Sequence, residues 1–354
     1  MIIENIKKLS DICAVSGNEK NAAKVVFEMF EKYCDKVYIN ASGCVVGVKK
    51  GENSNQKVMV EAHIDEIGMM VTKICDEGFL KFTNIGGIDT RILPGNEVTV
   101  HGKKELFGVV GAIAPHLLSV EDLNKPIPKD KLFIDVGLDF DAANENISVG
   151  DLITFKSEPT ILNKKYIAAK SQDDRAGICV ILEVLENLKN KELPFDLYVV
   201  GATGEEVGLR GSATVTYEID PDIAIAIDVC HGDTPDASDN TFKLGSGCVF
   251  EVGPNISKKL ANHIIKVMDE NKIKYSIEAC GGNTGTDAWA MQVAKNGIPT
   301  ALFSIPLRYM HTQYEVSGVE DIKLSPKRRN IKIPITEIKE TVSILKRKVS
   351  FTPS

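Results

Sequence analysis

Continuous apolar runs that accompany helical segments constrain the fold of this chain most strongly. Three such runs are DLYVVGAT, IAIAIDV and IPTALFSIP, at residues 196–203, 223–229 and 298–306. Helices are predicted at 176–188 and 261–271. Strands that are apolar along their whole length are buried on both faces, so helices must cover both sides of their sheet. The sequence therefore predicts an α/β fold with a central mixed sheet flanked by helices.

The first part of the chain follows the same pattern. A helix is predicted over 19–35 because apolar residues recur there at three- and four-residue spacing, and Ser16 and Glu19 fit a capping box before it. The segment KVYINASGCVVGVKK predicts two strands around a turn, and KVMVEAHID predicts a strand that ends near His63. The N-terminal segment is therefore expected to join the α/β part of the molecule.

The middle of the chain has a different sequence pattern. Between residues 67 and 165, short apolar runs such as LFGVVGAI and VGDLITF are separated by Gly and Pro, and little helical period is present. Short strands at regular spacing predict a compact β domain. We expect an inserted β domain at 67–165 and a discontinuous α/β domain built from 1–66 and 166–354.

Composition excludes several classes of protein. The 354 residues contain 42 Lys and Arg against 49 Asp and Glu, a net charge of −7, which argues against nucleic-acid binding. The basic run at 327–329 is accordingly interpreted as a solvated face. No apolar stretch reaches membrane-spanning length and no signal peptide is visible. The eight cysteines are scattered without a Cys-x-x-Cys pair, so we expect reduced thiols and a cytoplasmic protein.

Acidic and histidine residues follow the predicted strands at equivalent places. His63, Glu205 and Glu206, Asp228, and His311 each lie at or just beyond the end of a separate strand, and Asp173 opens the helix after the insertion. The carboxyl ends of parallel strands share one edge of a sheet, where ligands collect. Two histidines with several carboxylates suit Zn²⁺, Co²⁺ or Mn²⁺ better than Ca²⁺.

Each of these features also has a structural explanation. Asp65 could satisfy a buried His63 imidazole, and Asp173 could cap a helix. The pair Glu205 and Glu206 could belong to a solvated loop. Asp228 is harder to explain in this way, because an acid after an apolar run is costly to bury unless it is paired. The coincidence of five such features favours a metal site.

Six segments together resemble those of a known family. VEAHIDEIGMMV, SQDDRAG, TGEEVGLRG, IDVCHGDTP, GGNTGTDA and GIPTALFSIPLRYMH occur in the order found in the tetrahedral-aminopeptidase group of dinuclear metallo-aminopeptidases, which includes glutamyl aminopeptidases and proteins labelled cellulase M. The family often has Gln before the Glu pair and Ala-Leu before the Asp pair, where this chain has Gly204 and Ser171-Gln172.

The resemblance implies a site of defined roles. Two divalent metal ions, Zn²⁺ or Co²⁺, would be bound by five residues: His63, Asp173, Glu206, Asp228 and His311. Asp173 would bridge the ions, with His63 and Asp228 on one and Glu206 and His311 on the other. Glu205 would be the general base, and Asp65 would orient His63.

The resemblance also implies a function and an assembly. It indicates an aminopeptidase that removes N-terminal residues from short peptides, with a zinc-exopeptidase-like sheet and an inserted small β-barrel or PDZ-like domain. The insertion would mediate dimer contacts, and the dimers would form a homo-oligomeric dodecamer. Three alternatives stay open: a metal-dependent deacylase or carboxypeptidase of the same fold, a glycoside hydrolase, and a non-catalytic binding protein.

A few further residues have ordinary explanations beside functional ones. His231 follows Asp228 by three residues and could reach the site, although the resemblance leaves it outside the ligand set. The glycine-rich segment 281–287 is expected near the substrate pocket. Arg308 and Tyr309 could line substrate or simply pack.

Overall fold

The computed structural model describes residues 2–52, 55–121, 124–235, 237 and 240–323. The basic run at 327–329 lies outside these residues. Eight α-helices occur in the described ranges: α1 (Ile2–Ser10), α2 (Lys20–Phe30), α3 (Phe140–Asn146), α4 (Gln172–Leu188), α5 (Arg210–Ile219), α6 (Lys258–Glu270), α7 (Ala288–Met291) and α8 (Val319–Ile322). No helix in the described part of the chain has the length and apolarity needed to span a membrane.

The described strands divide between two sheets. The first half of the chain supplies β1 (Lys36–Ile39), β2 (Val45–Lys49), β3 (Lys57–His63), β4 (Gly68–Ile74), β5 (Leu80–Ile85), β6 (Glu97–His101), β7 (Glu105–Gly111), β8 (Phe133–Asp135) and β9 (Leu152–Phe155). The second half supplies β10 (Thr160–Leu162), β11 (Tyr166–Ala169), β12 (Asp196–Ala202), β13 (Ile223–His231), β14 (Cys248–Val252), β15 (Tyr275–Ala279), β16 (Thr300–Arg308) and β17 (Glu315–Gly318).

The larger sheet has eleven strands. Its order is β1-β2-β12-β3-β13-β16-β17-β11-β10, and β14 and β15 branch from β16. The four central strands, β12, β3, β13 and β16, run parallel to one another. On either side of this group, β2 is antiparallel to β12 and β17 is antiparallel to β16. Residues of β3 and β13 are buried along almost their whole length, because helices and loops cover both faces. This continuous burial is the reason for the apolar runs in the sequence.

The smaller sheet is a closed barrel of six strands in the order β4-β5-β8-β7-β6-β9. It has a separate apolar core that includes Met69, Leu80, Val98, Ile134 and Ile153. After β9 the chain returns to the larger sheet through β10 and β11, which pair with each other. The predicted fold class, an α/β fold with a central mixed sheet and an inserted β-barrel, is confirmed.

Two local predictions differ from the structure. The helix predicted over 19–35 is shorter, and α2 ends at Phe30. The capping box is wrong: Glu19 occupies the N-cap position without a side-chain cap bond, and the Ser16 hydroxyl instead donates to Asp65 Oδ2 at 2.6 Å. A long-range partner has taken the hydroxyl that local sequence would have assigned to the helix.

A buried ionic network fixes the segment that leads into α4. Glu66, which is 2% exposed, accepts hydrogen bonds from the backbone N–H of Ala14 at 2.9 Å, Arg175 Nη2 at 3.0 Å and Lys170 Nζ at 2.5 Å. The Ser171 hydroxyl also donates to it. Burial alone would raise the pKa of Glu66, but the charges of Arg175 and Lys170 outweigh it and lower the pKa to about 2.

Candidate active site

The parallel strands bring the predicted site residues to one edge of the larger sheet. β3 ends at His63, β12 ends three residues before Glu205, and β13 carries Asp228 near its end. His311 follows β16 by three residues. Because these four strands are adjacent and run in the same direction, their carboxyl ends converge.

Asp173 lies between two imidazoles. Its Oδ1 is 3.0 Å from His63 Nε2, and its Oδ2 is 3.2 Å from His311 Nε2. Glu206 Oε2 is 3.3 Å from His311 Nε2. His63, Asp173 and Glu206 each offer one ligand atom, and these three atoms lie within 4.8 Å of one another. The carboxylate of Asp173 therefore contacts a predicted ligand with each of its oxygens.

The start of α4 presents Asp173 in an unusual backbone. Asp173 and Asp174 have non-helical dihedral angles, and the peptide bond between them is cis. The chain thus bends at the predicted bridging residue, and the regular helix follows it. The sequence showed an acidic pair at a helix start but gave no sign of this bend.

Glu205 and Glu206 occupy different positions although they are adjacent in sequence. Glu206 belongs to the group of converging ligand atoms, whereas Glu205 Oε2 is 3.9 Å from His63 Nε2. Burial raises the pKa of Glu205 to about 9; the His63 charge opposes this rise, and the carboxylates of Asp287 and Asp173 add to it. Glu205 is thus beside the ligand cluster and 9% exposed.

Asp228 is buried in the same region. Its Oδ1 accepts a hydrogen bond from the N–H of Val229 at 2.7 Å. Burial, followed by the negative charge of Asp173, raises the pKa of Asp228 well above its ordinary value. Asp228 is not one of the three residues whose ligand atoms converge within 4.8 Å.

Asp65 ties the glutamate pair to β3. Its Oδ1 accepts from the N–H of Glu205 at 3.1 Å, and its Oδ2 accepts from the N–H of Glu206 at 3.2 Å. His63 Nδ1 is 3.2 Å from the backbone oxygen of Asp65 and 3.5 Å from its Oδ1. Asp65 therefore lies against the His63 ring and also anchors the backbone of the loop that follows β12.

A loop of the barrel reaches His311. Gly87, which follows β5, offers its carbonyl oxygen 2.8 Å from His311 Nδ1. A bond from Nδ1–H to this oxygen holds the ring so that Nε2 is directed at Asp173 and Glu206. A Cβ added to Gly87 would lie 3.1 Å from Nδ1, so the glycine allows this close approach.

Glu61 and Glu315 are two buried acids near the site that were absent from the sequence prediction. Glu61 lies two residues before His63 on β3 and faces Asp287, and both side chains are buried. Burial raises the pKa of Glu61 to about 8 and the pKa of Asp287 well above its ordinary value, and the nearby charge of Glu61 adds to the rise at Asp287. A single acid inside the run KVMVEAH is a sequence signal that could have identified Glu61.

Glu315 is the second of these acids, and it contacts the backbone of two predicted ligands. Its oxygens accept from the N–H groups of Asp173 at 3.1 Å and His311 at 2.8 Å. Burial and the charge of Asp173 raise the pKa of Glu315 to about 8, and the hydrogen bonds from these backbone groups oppose the rise. Its distance in sequence from Asp173 explains why no local pattern marked it.

The residues with two alternative explanations lie further out. His231 is exposed at the end of β13. Arg308 is paired with Asp233, with Nη2 2.6 Å from Oδ1, and Tyr309 is 53% exposed. The segment 281–287 brings Asp287 close enough for its charge to raise the pKa of Glu205, after the effect of burial.

The donor set fits divalent metal ions. It combines two imidazoles with carboxylate oxygens, and the side chains of His63, Asp173 and Asp228 are at most 7% exposed. Burial raises the pKa values of Glu205, Glu206 and Asp228, because these carboxylates are crowded together away from water. Bound cations would offset this repulsion, which is the usual reason for assembling so many acids in one buried place.

The fold and this cluster define a hydrolase of the aminopeptidase class, built from a helix-flanked mixed sheet and a closed barrel. The chain belongs to the M42 glutamyl aminopeptidase family, whose model matches residues 43–327. The predicted family and the predicted class of enzyme, a hydrolase acting on peptides, are confirmed.

Individual relatives cover most of the chain. A lysyl aminopeptidase of Pyrococcus furiosus is 35% identical over 325 residues, which is 90% of this chain and 93% of that protein. The aminopeptidase APDkam598 from the archaeon Desulfurococcus kamchatkensis has a TM-score of 0.85 at 34% identity, with 91% of each chain covered. The TET1 peptidase of Pyrococcus horikoshii, which can assemble into a tetrahedron or a large octahedral shell, has a TM-score of 0.80 at 31% identity over 98% of both chains.

Proposed function

We propose that this protein is a metal-dependent aminopeptidase that removes N-terminal residues from short peptides. The observation that carries the proposal is the contact of Asp173 with His63 and His311, one oxygen to each imidazole. A carboxylate in this position can bridge two ions. The proposed ligands are His63, Asp173, Glu206, Asp228 and His311, and the proposed metals are two divalent ions, Zn²⁺ or Co²⁺.

The acidic residues would divide the work of the reaction. Two such ions, when bound, make water acidic enough to attack near neutral pH and polarise the scissile carbonyl. Glu205 lies beside the converging ligand atoms without belonging to them, so its carboxylate is available to accept the proton of the attacking water and pass it to the leaving amine. Asp65 would hold Glu205 and Glu206 in place through their backbone N–H groups.

Domain organisation and assembly belong to the same proposal. We propose that 67–165 is an inserted unit, since all six barrel strands fall between Gly68 and Phe155 and surround their own apolar core. This unit would make the contacts of a dimer, and dimers would assemble into a dodecamer. Support comes from the shell-forming TET1 peptidase and from the exposed apolar side chains Ile113, Leu117 and Val120 on the barrel segment. We also propose a cytoplasmic location.

The test is hydrolysis of aminoacyl-p-nitroanilides by the purified protein. We expect release of p-nitroaniline from substrates with a free α-amine, none from N-acetylated counterparts, and loss of activity with a chelator that added Zn²⁺ or Co²⁺ restores. Cleavage of the acetylated substrates would favour the deacylase or another hydrolase activity instead. Activity that survives complete metal removal would contradict the metal-dependent mechanism.

A further inference from the structure

Glu315 connects two segments that are distant in sequence. It is the first residue of β17 and is 2% exposed. Its Oε2 accepts from the N–H of Gln172 at 2.7 Å and from the N–H of Asp173 at 3.1 Å, and its Oε1 accepts from the N–H of His311 at 2.8 Å. One carboxylate therefore holds the start of α4 and the loop after β16 at the same time.

Both segments need to be held, because each contains a residue in the left-handed region. Ser171 has φ of 57° and His311 has φ of 61°. This region is unfavourable for residues with a Cβ and persists where surrounding contacts fix it. The N–H of His311 is itself one of the groups bound to Glu315.

Gln172 prevents Glu315 from moving relative to α4. Its Nε2 donates to the backbone oxygen of Glu315 at 2.6 Å and to that of Ile167 at 3.1 Å. Its Oε1 accepts from the Ser317 hydroxyl. The buried side chain of Gln172 thus joins β17, β11 and the start of α4. It also fixes the backbone position from which the Glu315 carboxylate extends.

We propose that Glu315 is a positioning residue of the metal centre, which fixes the spacing between Asp173 and His311. The inference rests on the proposed metal site. With both backbones attached to one carboxylate, Asp173 Oδ2 lies 3.2 Å from His311 Nε2. Loss of this link would leave both ligands present but poorly spaced, which lowers metal affinity rather than removing a ligand.

Glu315→Gln tests this, because an amide cannot accept at both ends. Whichever way the amide turns, at least one of the two segments loses its acceptor. We expect Zn²⁺ affinity, measured by competition with a chromophoric chelator, to fall by about 10- to 100-fold, the usual effect of removing a partner that orients a ligand. Glu315→Asp keeps both carboxyl oxygens and shortens the side chain, so it should show a smaller loss and guards against misfolding of the amide variant.

Glu251→Gln is the matched control. Glu251 is a buried glutamate, 4% exposed, on β14. Circular dichroism and thermal melting of the metal-free proteins check folding, and Glu251→Gln should keep the wild-type affinity. In a His311→Ala background the Glu315→Gln substitution should lower Zn²⁺ affinity much less than it does in wild type, because both substitutions act on the link between Asp173 and His311.

The outcomes separate the two proposals. Folded Glu315→Gln and Glu315→Asp proteins that bind Zn²⁺ as tightly as wild type would overturn the positioning role and leave the metal site intact. Wild-type protein that binds no divalent ion would overturn the metal site itself and this inference with it. Equal losses in Glu315→Gln and Glu251→Gln would also overturn it, since the effect would then follow from any buried glutamate.

Discussion

At the scale of single residues, adjacent acids acquire different roles through a difference in position of a few ångströms. Glu206 joins the converging ligand atoms, whereas Glu205 stays 3.9 Å from His63 Nε2. Asp65 holds the N–H groups of both glutamates, so the loop cannot exchange the two side chains without breaking these bonds. A side chain committed to coordination cannot also carry protons, and the arrangement keeps the two tasks apart.

Glu205→Gln should therefore separate catalysis from metal binding. We expect kcat to fall by about 10²- to 10⁴-fold, the range for loss of a general base, while the protein keeps its fold and its metal content. Atomic absorption of the dialysed protein, together with kcat on an aminoacyl-p-nitroanilide, measures both properties.

Glu206→Gln is the natural control for this prediction. It removes a proposed ligand and should reduce metal content as well as activity. A Glu205→Gln protein that retains full turnover would show that another group accepts the proton. A Glu205→Gln protein that loses its metal would show that Glu205 is a ligand.

Site residues could be predicted from sequence where local pattern determines their position. His63, Asp228 and Glu205 follow apolar runs, and the strand ends bring them to one edge. Glu315 and the Gly87 carbonyl could not be predicted in this way. The contact of Glu315 with Asp173 and that of the Gly87 carbonyl with His311 each join residues more than a hundred positions apart, and the second uses a backbone atom that carries no sequence signal.

At the scale of secondary-structure elements, the long buried strands of the larger sheet were predictable, whereas four of its short strands were not. The apolar runs at β12, β13 and β16 appear in the sequence because both faces of these strands are covered. β10, β14, β15 and β17 have five residues or fewer, β10 is exposed throughout and β15 is partly exposed, so their patterns are weak. The kink at Asp173 and Asp174 is likewise a product of long-range contacts.

The element that most needs support is the start of α4, and Glu66 provides it through Lys170, Ser171 and Arg175. Glu66→Gln should destabilise the protein by about 3–5 kcal/mol, because it leaves buried positive charges without a counter-charge. Urea unfolding at pH 7 measures this difference. Glu270→Gln, which breaks a surface pair with Lys266 at 3.7 Å, should change stability by less than about 1 kcal/mol.

The same network gives a dependence on pH. The pKa of Glu66 is lowered from 4.5 to about 2 in the folded protein, so its contribution is fully present above pH 4.5 and is lost as the pH falls towards 2. The difference in stability between wild type and Glu66→Gln should therefore shrink in acid. A difference that is small at pH 7, or constant down to pH 3, would contradict this account.

At the scale of the whole molecule, the barrel and the larger sheet meet at the candidate active site. The Gly87 carbonyl belongs to the barrel segment, while the His311 ring that it contacts belongs to the loop after β16. The barrel segment therefore contributes to the orientation of a proposed metal ligand.

The proposed assembly makes the exposed part of the barrel the place to test. Leu117 and Val120 are 79% and 84% exposed, and cover by another chain would remove these apolar side chains from water. A Leu117→Asp, Val120→Asp double variant should convert the assembly into smaller species in multi-angle light scattering, because each charge would have to be buried unpaired in the interface. Val293→Asp is the matched control: Val293 is 73% exposed and follows α7, outside the barrel, so its substitution should leave the mass unchanged. If the Val293→Asp control dissociates and the double variant does not, the subunits meet through the α/β part instead. A wild-type protein that is monomeric with metal bound would contradict the proposed assembly altogether.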